Sequence, residues 1–375
     1  MEIDFREMLK QRHRWAHEHK QRGGQVVGCY TAMVPEELMW ACGVLPIQFL
    51  MSPGPYSESQ SHLPPYVCDC SRSMLEDNMK GAYDFLDGQL LSHVCETIRG
   101  LAGIYRIRWP DRWVRVFAAP AGNDPGAKAY LKAELLDLAE DLARLGSDPL
   151  REDRLESAIA VYNENRALMR QLYHLRGQNP GAVAPEAVLS AVMTSGMMPK
   201  EQHNRLMRQF LEAIPSDKEA SGPRMILSGL LFENEVLGDS DLFSILRRSG
   251  ARVVWDDLAS GMRYRLEPVD ESQKGDPLDR LAEGLLGPQP APLRSPAEQK
   301  AQQLLDAAHT YGAEGVIFLI PKYCDPILFE VPTLTDVLKN EGVPTLSLEV
   351  SGSLTAGQMS TRVEAFMEMI SDPLF

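Results

Sequence analysis

The chain has 375 residues, a net charge of −14, and 44% hydrophobic and 24% charged residues. Such a length suits about two domains, and the acidic excess argues against a nucleic-acid partner, whose phosphates it would repel. No stretch approaches the roughly 20 apolar residues that cross a bilayer, and the charged start Glu2-Ile3-Asp4-Phe5-Arg6 is unlike a secretory leader, so a cytoplasmic protein with no membrane partner is expected.

In chain order, residues 2–21 read as one charged amphipathic helix and residues 25–30 as a short strand. Pro35, Glu36 and Glu37 open a helix, with proline in the first turn and acids beside the positive end of the dipole. That helix stops at Gly43, and a strand over 45–51 completes a βαβ unit. Cys68-Asp69-Cys70-Ser71 precedes a helical pattern over 72–82, with Asp69 or Ser71 as its cap. Residues 90–95 read as a strand with Cys95 at or just past its end. Residues 124–215 are almost continuously helical, with amphipathic stretches at 127–145 and 152–176 and a break at Gly177-Gln178-Asn179-Pro180-Gly181. The helix–glycine–strand unit then recurs. A helix over 241–246 leads to Gly250 and a strand over 251–255; a helix over 334–340 leads to Gly342 and a strand over 343–350. Each glycine suits the left-handed conformation that ends a helix. Between these units lie a proline-rich loop at 288–296, an apolar strand at 315–320 and a loop at 321–326. The alternation predicts an α/β fold: two doubly wound, Rossmann- or flavodoxin-like parallel-sheet domains, 1–123 and 223–375, joined by a helical connector, 124–222.

Six cysteines are present, with no C-x-x-C pair among them. Stable disulfides are not expected in a reducing cytosol, which leaves packing, a nucleophile or metal ligation. Cys95 and Cys324 fall just beyond strand ends, one in each α/β half, where such sheets place ligands. Cys68 lies at a helix start, which favours a thiolate and any anion bound there. Iron–sulfur clusters select thiolates, yet isolated cysteines also serve as ordinary buried side chains, and placement leaves both readings open. The chain contains neither GxxxxGK followed by Ser or Thr nor a GxGxxG run, so neither ATP hydrolysis nor a dinucleotide site is expected of it.

The residues around the cysteines add a resemblance. Val27-Gly28, Val34-Pro35-Glu36-Glu37-Leu38 and Ala41-Cys42-Gly43-Val44-Leu45-Pro46 come first. Cys68-Asp69-Cys70-Ser71-Arg72-Ser73 follows, then Tyr83-Asp84-Phe85-Leu86-Asp87-Gly88 with His93-Val94-Cys95-Glu96-Thr97-Ile98-Arg99. Phe318-Leu319 with Lys322-Tyr323-Cys324-Asp325-Pro326 is next, and Gly342-Val343-Pro344, Leu348-Glu349 and Gly357-Gln358-Met359-Ser360-Thr361-Arg362 close the series. In this order the segments resemble the benzoyl-CoA reductase / 2-hydroxyacyl-CoA dehydratase family over both α/β halves. The helical middle carries no such motif, and Glu96 stands where the family usually has Asp.

The resemblance implies a 4Fe–4S cluster on Cys68, Cys95 and Cys324, with Cys70 as a substitute for Cys68. It also implies a paralogous cluster-bearing subunit, an ATP-hydrolysing activator, ferredoxin as electron donor and an acyl-CoA substrate. Cys29, two residues out of register with a cysteine often found where Thr31 stands, and Cys42 are expected to be packing. His93 is a candidate to hydrogen-bond a cluster sulfur or relay a proton, and Glu349 a candidate active-site carboxylate; the alternatives are a satisfied loop histidine and a helix cap. Arg72 and Arg99 either offset cluster charge or lie on helix surfaces, while Gln358 and Arg362 are expected at a strand–helix junction. The Cys-Glu-Thr-Ile-Arg run, Thr361-Arg362 and the excess of Arg over Lys favour the benzoyl-CoA reductase branch, and in it the smaller, gamma- or C-type, cluster-bearing subunit. That branch reduces the ring of an acyl-CoA thioester by single electrons to a cyclic dienoyl-CoA, in anaerobic aromatic degradation. The alternatives are a 2-hydroxyacyl-CoA dehydratase subunit working through a ketyl radical, a non-catalytic electron-relay subunit, and a cofactor-free ligand-binding protein.

Overall fold

The computed structural model describes residues 3–30, 34–215, 221–237, 242–259, 268–272, 275–287, 296–350 and 356–371. Eight runs form strands: β1 (Gln25–Tyr30), β2 (Val44–Gln48), β3 (Gly88–Ser92), β4 (Trp113–Phe117), β5 (Arg224–Gly229), β6 (Arg252–Leu258), β7 (Gly315–Pro321) and β8 (Thr345–Val350). They build two four-stranded sheets, ordered β2-β1-β3-β4 and β6-β5-β7-β8, in which every pair is parallel. β3 and β7 are buried along their whole length, as strands covered by helices on both faces must be. The fold is therefore α/β with two doubly wound sheets, as expected. In each sheet the winding reverses between its first and third strands, the switch point whose carboxyl ends form a ligand crevice in folds of this kind.

Helices Arg14–Gln21, Asp69–Met79 and Glu96–Arg108 cover one face of the first sheet. Helices Glu36–Ala41, Pro125–Arg144 and Glu152–Gln178 cover the other, joined by helix Pro277–Leu285 from the second half. The core of the second sheet takes in Leu9, Trp15, Leu50, Met51, Cys68 and Cys70 from the first half. Polar contacts cross between the halves as well. Arg12 pairs with Glu233 at 3.0 Å, the Glu233 N–H donates to the Met51 carbonyl at 2.8 Å, and Arg176 meets Asp256 at 2.9 Å with both side chains fully buried. Among the described residues, no helix is long and apolar enough to cross a membrane.

Several boundaries differ from expectation, each for a tertiary reason. The N-terminal stretch is two helices, Phe5–Lys10 and Arg14–Gln21. The break lets Phe5 enter the helical layer, Leu9 and Trp15 the second core, and Ala16 the first. β2 stops at Gln48, whose N–H donates to the Gly196 carbonyl at 2.8 Å, after which Leu50 and Met51 leave for the second core. Gly43, Gly250 and Gly342 end their helices at φ +78°, +86° and +77°, as expected. Residue 241 and most of the proline-rich loop, 288–295, lie outside the described residues; Pro296 caps helix Ala297–Tyr311.

Candidate functional site

Three of the six cysteines occupy one structural role. Cys68, Cys95 and Cys324 are the N-cap residues of helices Asp69–Met79, Glu96–Arg108 and Asp325–Asn340. The first of these corrects the expected cap: the helix begins at Asp69, and Cys68 itself stands at its mouth. A helix start exposes unpaired N–H groups and the positive end of the dipole, so all three sulfurs sit in fields that favour negative charge.

The same three segments meet. The Cys68 thiol is drawn below its ordinary range by hydrogen bonds with Cys324 and Cys70, against the opposing effect of burial, and Ser71 adds to the drop. Its Sγ lies 3.5 Å from Ser71 Oγ. The partners move the other way: contact with Cys68 and burial push Cys324 up, and Cys70 likewise. Burial raises the Cys95 thiol, the N–H groups of Ile98 and Thr97 oppose it, and the charge of Cys68 reaches it across the site. Tyr30, the last residue of β1, is the common neighbour: its phenol is held up by burial and then by Cys70, Cys68, Cys95 and Cys324 together. The thiols therefore gather beside the carboxyl end of β1, next to the crevice between β1 and β3.

Among the described residues, no three His, Cys, Asp or Glu side chains stand in metal-coordinating geometry. The sulfurs are gathered without being closed on one centre. Their chemistry is the soft, anionic donor set that an iron–sulfur group requires, and three helix starts offset the charge such a group concentrates. On donor type and electrostatics the residues fit.

The surrounding loops are braced. Arg72 folds back from its helix and donates to the carbonyls of Val67 at 3.0 Å and Pro64 at 2.8 Å, fixing the loop that delivers Cys68. Tyr66, Tyr323 and Phe329, each near Cys68 or Cys324 in the chain, are exposed. Tyr323 has φ +60°, a conformation that costs an L-residue of order 1–2 kcal/mol.

The other candidates make contacts of their own. His93 is part-exposed and its Nε2 lies 3.2 Å from Glu96 Oε1, while Glu96 pairs in turn with Arg99, so the three form a surface cluster on one helix start. Glu349 is exposed in β8, in register with Ile320. Arg362 donates to the Ser347 carbonyl at 2.8 Å and joins helix Ala356–Ser371 to β8, the junction role expected of it; Gln358 is exposed on the same helix. Cys29 is fully buried against Met39, its Sγ 3.8 Å from Sδ, and Cys42 is buried behind helix Glu36–Ala41. Thr31 lies outside the described residues. Tyr30, Ser71 and Tyr323 are the site residues that reading the motifs missed. Nearness to a candidate cysteine was the available signal for Ser71 and Tyr323; Tyr30 had none, since only folding brings it to the sulfurs.

A small cavity of about 20 Å³ is lined by Glu36, Glu37, Tyr162, Asn165, Arg166 and Lys200. Its charges are matched: Glu36 with Lys200 at 3.1 Å and Glu37 with Arg166. It has room for about one water and none for a substrate.

Known proteins match the chain over most of its length. Residues 31–370 match the family described as HGD-D, 2-hydroxyglutaryl-CoA dehydratase, D-component. The chain is 32% identical over 346 residues to the C subunit of benzoyl-CoA reductase from Thauera aromatica, covering 89% of this chain and 87% of that one. It is 26% identical over 372 residues to the (R)-phenyllactyl-CoA dehydratase beta subunit of Clostridium sporogenes, covering 98% of each. Against the (R)-2-hydroxyglutaryl-CoA dehydratase beta subunit of Acidaminococcus fermentans the identity is 24% over 370 residues, 94% of each chain.

Proposed function

The chain belongs to the 2-hydroxyglutaryl-CoA dehydratase D-component family, and on that footing we propose that it is the cluster-holding C-type subunit of a benzoyl-CoA reductase. In this reading Cys68, Cys95 and Cys324 hold a 4Fe–4S cluster, with Cys70 as the substitute for Cys68. One observation carries it: thiols from three distant segments, each heading a helix, converge beside a single phenol. The cluster, when bound, supplies one-electron reduction at low potential. The chain's own residues do the holding. Three helix starts offset the charge, Arg72 fixes the Cys68 loop, and the apolar core around Cys68, Cys70 and Cys324 excludes water.

The partners in this reading are a paralogous cluster-bearing subunit, an ATP-hydrolysing activator, ferredoxin and an aromatic acyl-CoA, all in the cytoplasm. The ring-reducing branch is favoured by the 32% identity to a reductase subunit, against 26% and 24% to the two dehydratase subunits. The second reading, a 2-hydroxyacyl-CoA dehydratase subunit, rests on the phenyllactyl-CoA relative, whose match spans 98% of both chains.

Anaerobic purification with iron and sulfide analysis tests the cluster, and about four of each per chain are expected. Cys95→Ala and Cys324→Ala are each expected to lose most of the iron; full iron content in either removes the ligand assignment. Turnover of benzoyl-CoA rather than a 2-hydroxyacyl-CoA, with partner and activator supplied, separates the two branches.

A further inference from the structure

Tyr323 is the one non-glycine residue with positive φ among those described. L-residues avoid that region because Cβ crowds the neighbouring carbonyl oxygen, and they are kept there only where the surroundings leave no alternative, most often at functional sites. The surroundings here are specific. The Pro321 carbonyl accepts the Cys324 N–H at 3.1 Å, closing a four-residue turn with Tyr323 in its third position. That is the position where type II turns require positive φ and usually carry glycine. The Lys322 N–H donates to the Val350 carbonyl at 3.3 Å, tying the turn to β8. The Cys324 carbonyl accepts from Ile327 at 3.1 Å and Leu328 at 2.9 Å, so the helix starts at once. Tyr323 is 42% exposed, with the Lys322 ammonium 5.1 Å from the centre of its ring. Its ring lies largely outside the core, and what the fold uses is its backbone.

We propose that Tyr323 is the positioning residue of the third cysteine segment: its left-handed backbone turns the chain sharply off β7 so that the Cys324 sulfur meets Cys68. The proposal rests on the reading of Cys68 and Cys324 as ligands of one site. Opening the turn by a single residue shifts Cys324 by about 3.8 Å, enough to carry its sulfur away from Cys68. In this role the residue acts through Cys324.

The test uses the full-length, metal-free chain, reduced and then oxidised with diamide, with the Cys68–Cys324 disulfide quantified by peptide mass spectrometry. Tyr323→Gly and Tyr323→Asn tolerate positive φ and are expected to cross-link within about twofold of the unaltered chain, with an unfolding midpoint equal or higher. Tyr323→Val, β-branched and an outlier at this φ, is expected to cross-link at least about tenfold more slowly. Cross-linking of Tyr323→Val at the unaltered rate overturns the proposal. So does loss of cross-linking in a Tyr323→Gly chain that keeps its unfolding midpoint, which also keeps the test decisive should Tyr323→Val not fold. Iron uptake measured in parallel separates the two ideas: normal cross-linking in an unaltered chain that takes up no iron supports the turn and removes the cluster reading.

Discussion

At the scale of single residues, identical side chains acquire different chemistry from their surroundings. Cys29, fully buried, has its thiol pushed well up by burial and then by Glu36, whereas Cys68, nearly as buried, is drawn down by neighbouring thiols at a helix start. His203 shows the same dependence. It is fully buried, with Nδ1 2.8 Å from Asn165 Nδ2 and Nε2 2.8 Å from the Ala191 carbonyl, and burial with the nearby Lys200 holds its pKa at about 3. Since the folded value lies below the unfolded one, the native state prefers neutral imidazole. Its stabilising effect is complete above about pH 6.5 and is lost at about 1.4 kcal/mol per pH unit as pH falls below that. His13, lowered to about 4 by burial, acts in the same sense. Urea unfolding between pH 7.5 and 5 should therefore fall less steeply in His203→Gln, by about one proton. Comparing slopes cancels the opposite contribution of Asp77 and Glu233, whose carboxyls burial raises. Equal slopes would refute the assignment of a buried neutral imidazole.

At the scale of elements, caps and stops are local chemistry with predictable energies. Asp124 accepts the Gly126 N–H at 2.8 Å and the Ala127 N–H at 3.0 Å at the head of helix Pro125–Arg144. Asp124→Ala should cost about 1 kcal/mol by denaturant unfolding, with iron content unchanged. Gly229, at the carboxyl end of β5, has φ +118°, and a Cβ there would stand 2.1 Å from the Leu319 carbonyl oxygen. Since that obstacle is backbone, Gly229→Ala should cost more than about 1 kcal/mol; a neutral result would mean that β5 and β7 are not as close as described. Elements of this kind are legible in sequence because their signals lie within a few residues. The break between Lys10 and Arg14 was not, since it depends on which core Leu9, Trp15 and Ala16 each face. The start of the Cys68 helix was misplaced for a related reason: cysteine carries no capping signal of its own.

At the scale of the whole molecule, the two sheets share their cores. Val269, Leu278, Leu281 and Leu285 complete the apolar layer on the first sheet, although they follow the connector in sequence. We therefore expect a fragment of residues 1–222 to lack a cooperative unfolding transition in urea; a sharp transition with native-like circular dichroism would show that the first half closes its core unaided. The buried Arg176–Asp256 pair joins helix Glu152–Gln178 to β6. Arg176→Ala removes the buried cation beside Asp256, which also accepts from the Tyr173 hydroxyl at 3.2 Å, and should cost about 3–5 kcal/mol, read as a shift in the denaturant midpoint.

Strand alternation, glycine stops and the cysteine-centred motifs are written in neighbouring residues, so the α/β class, the two parallel sheets and the three candidate ligand thiols could be read from the chain alone. The order of the strands within each sheet, the approach of Cys68 to Cys324 and the place of Tyr30 among the sulfurs arose only on folding. Each depends on distances between residues remote in sequence, and a thiol's charge is set by the dielectric and hydrogen bonds of its pocket, which exist only once the chain has packed.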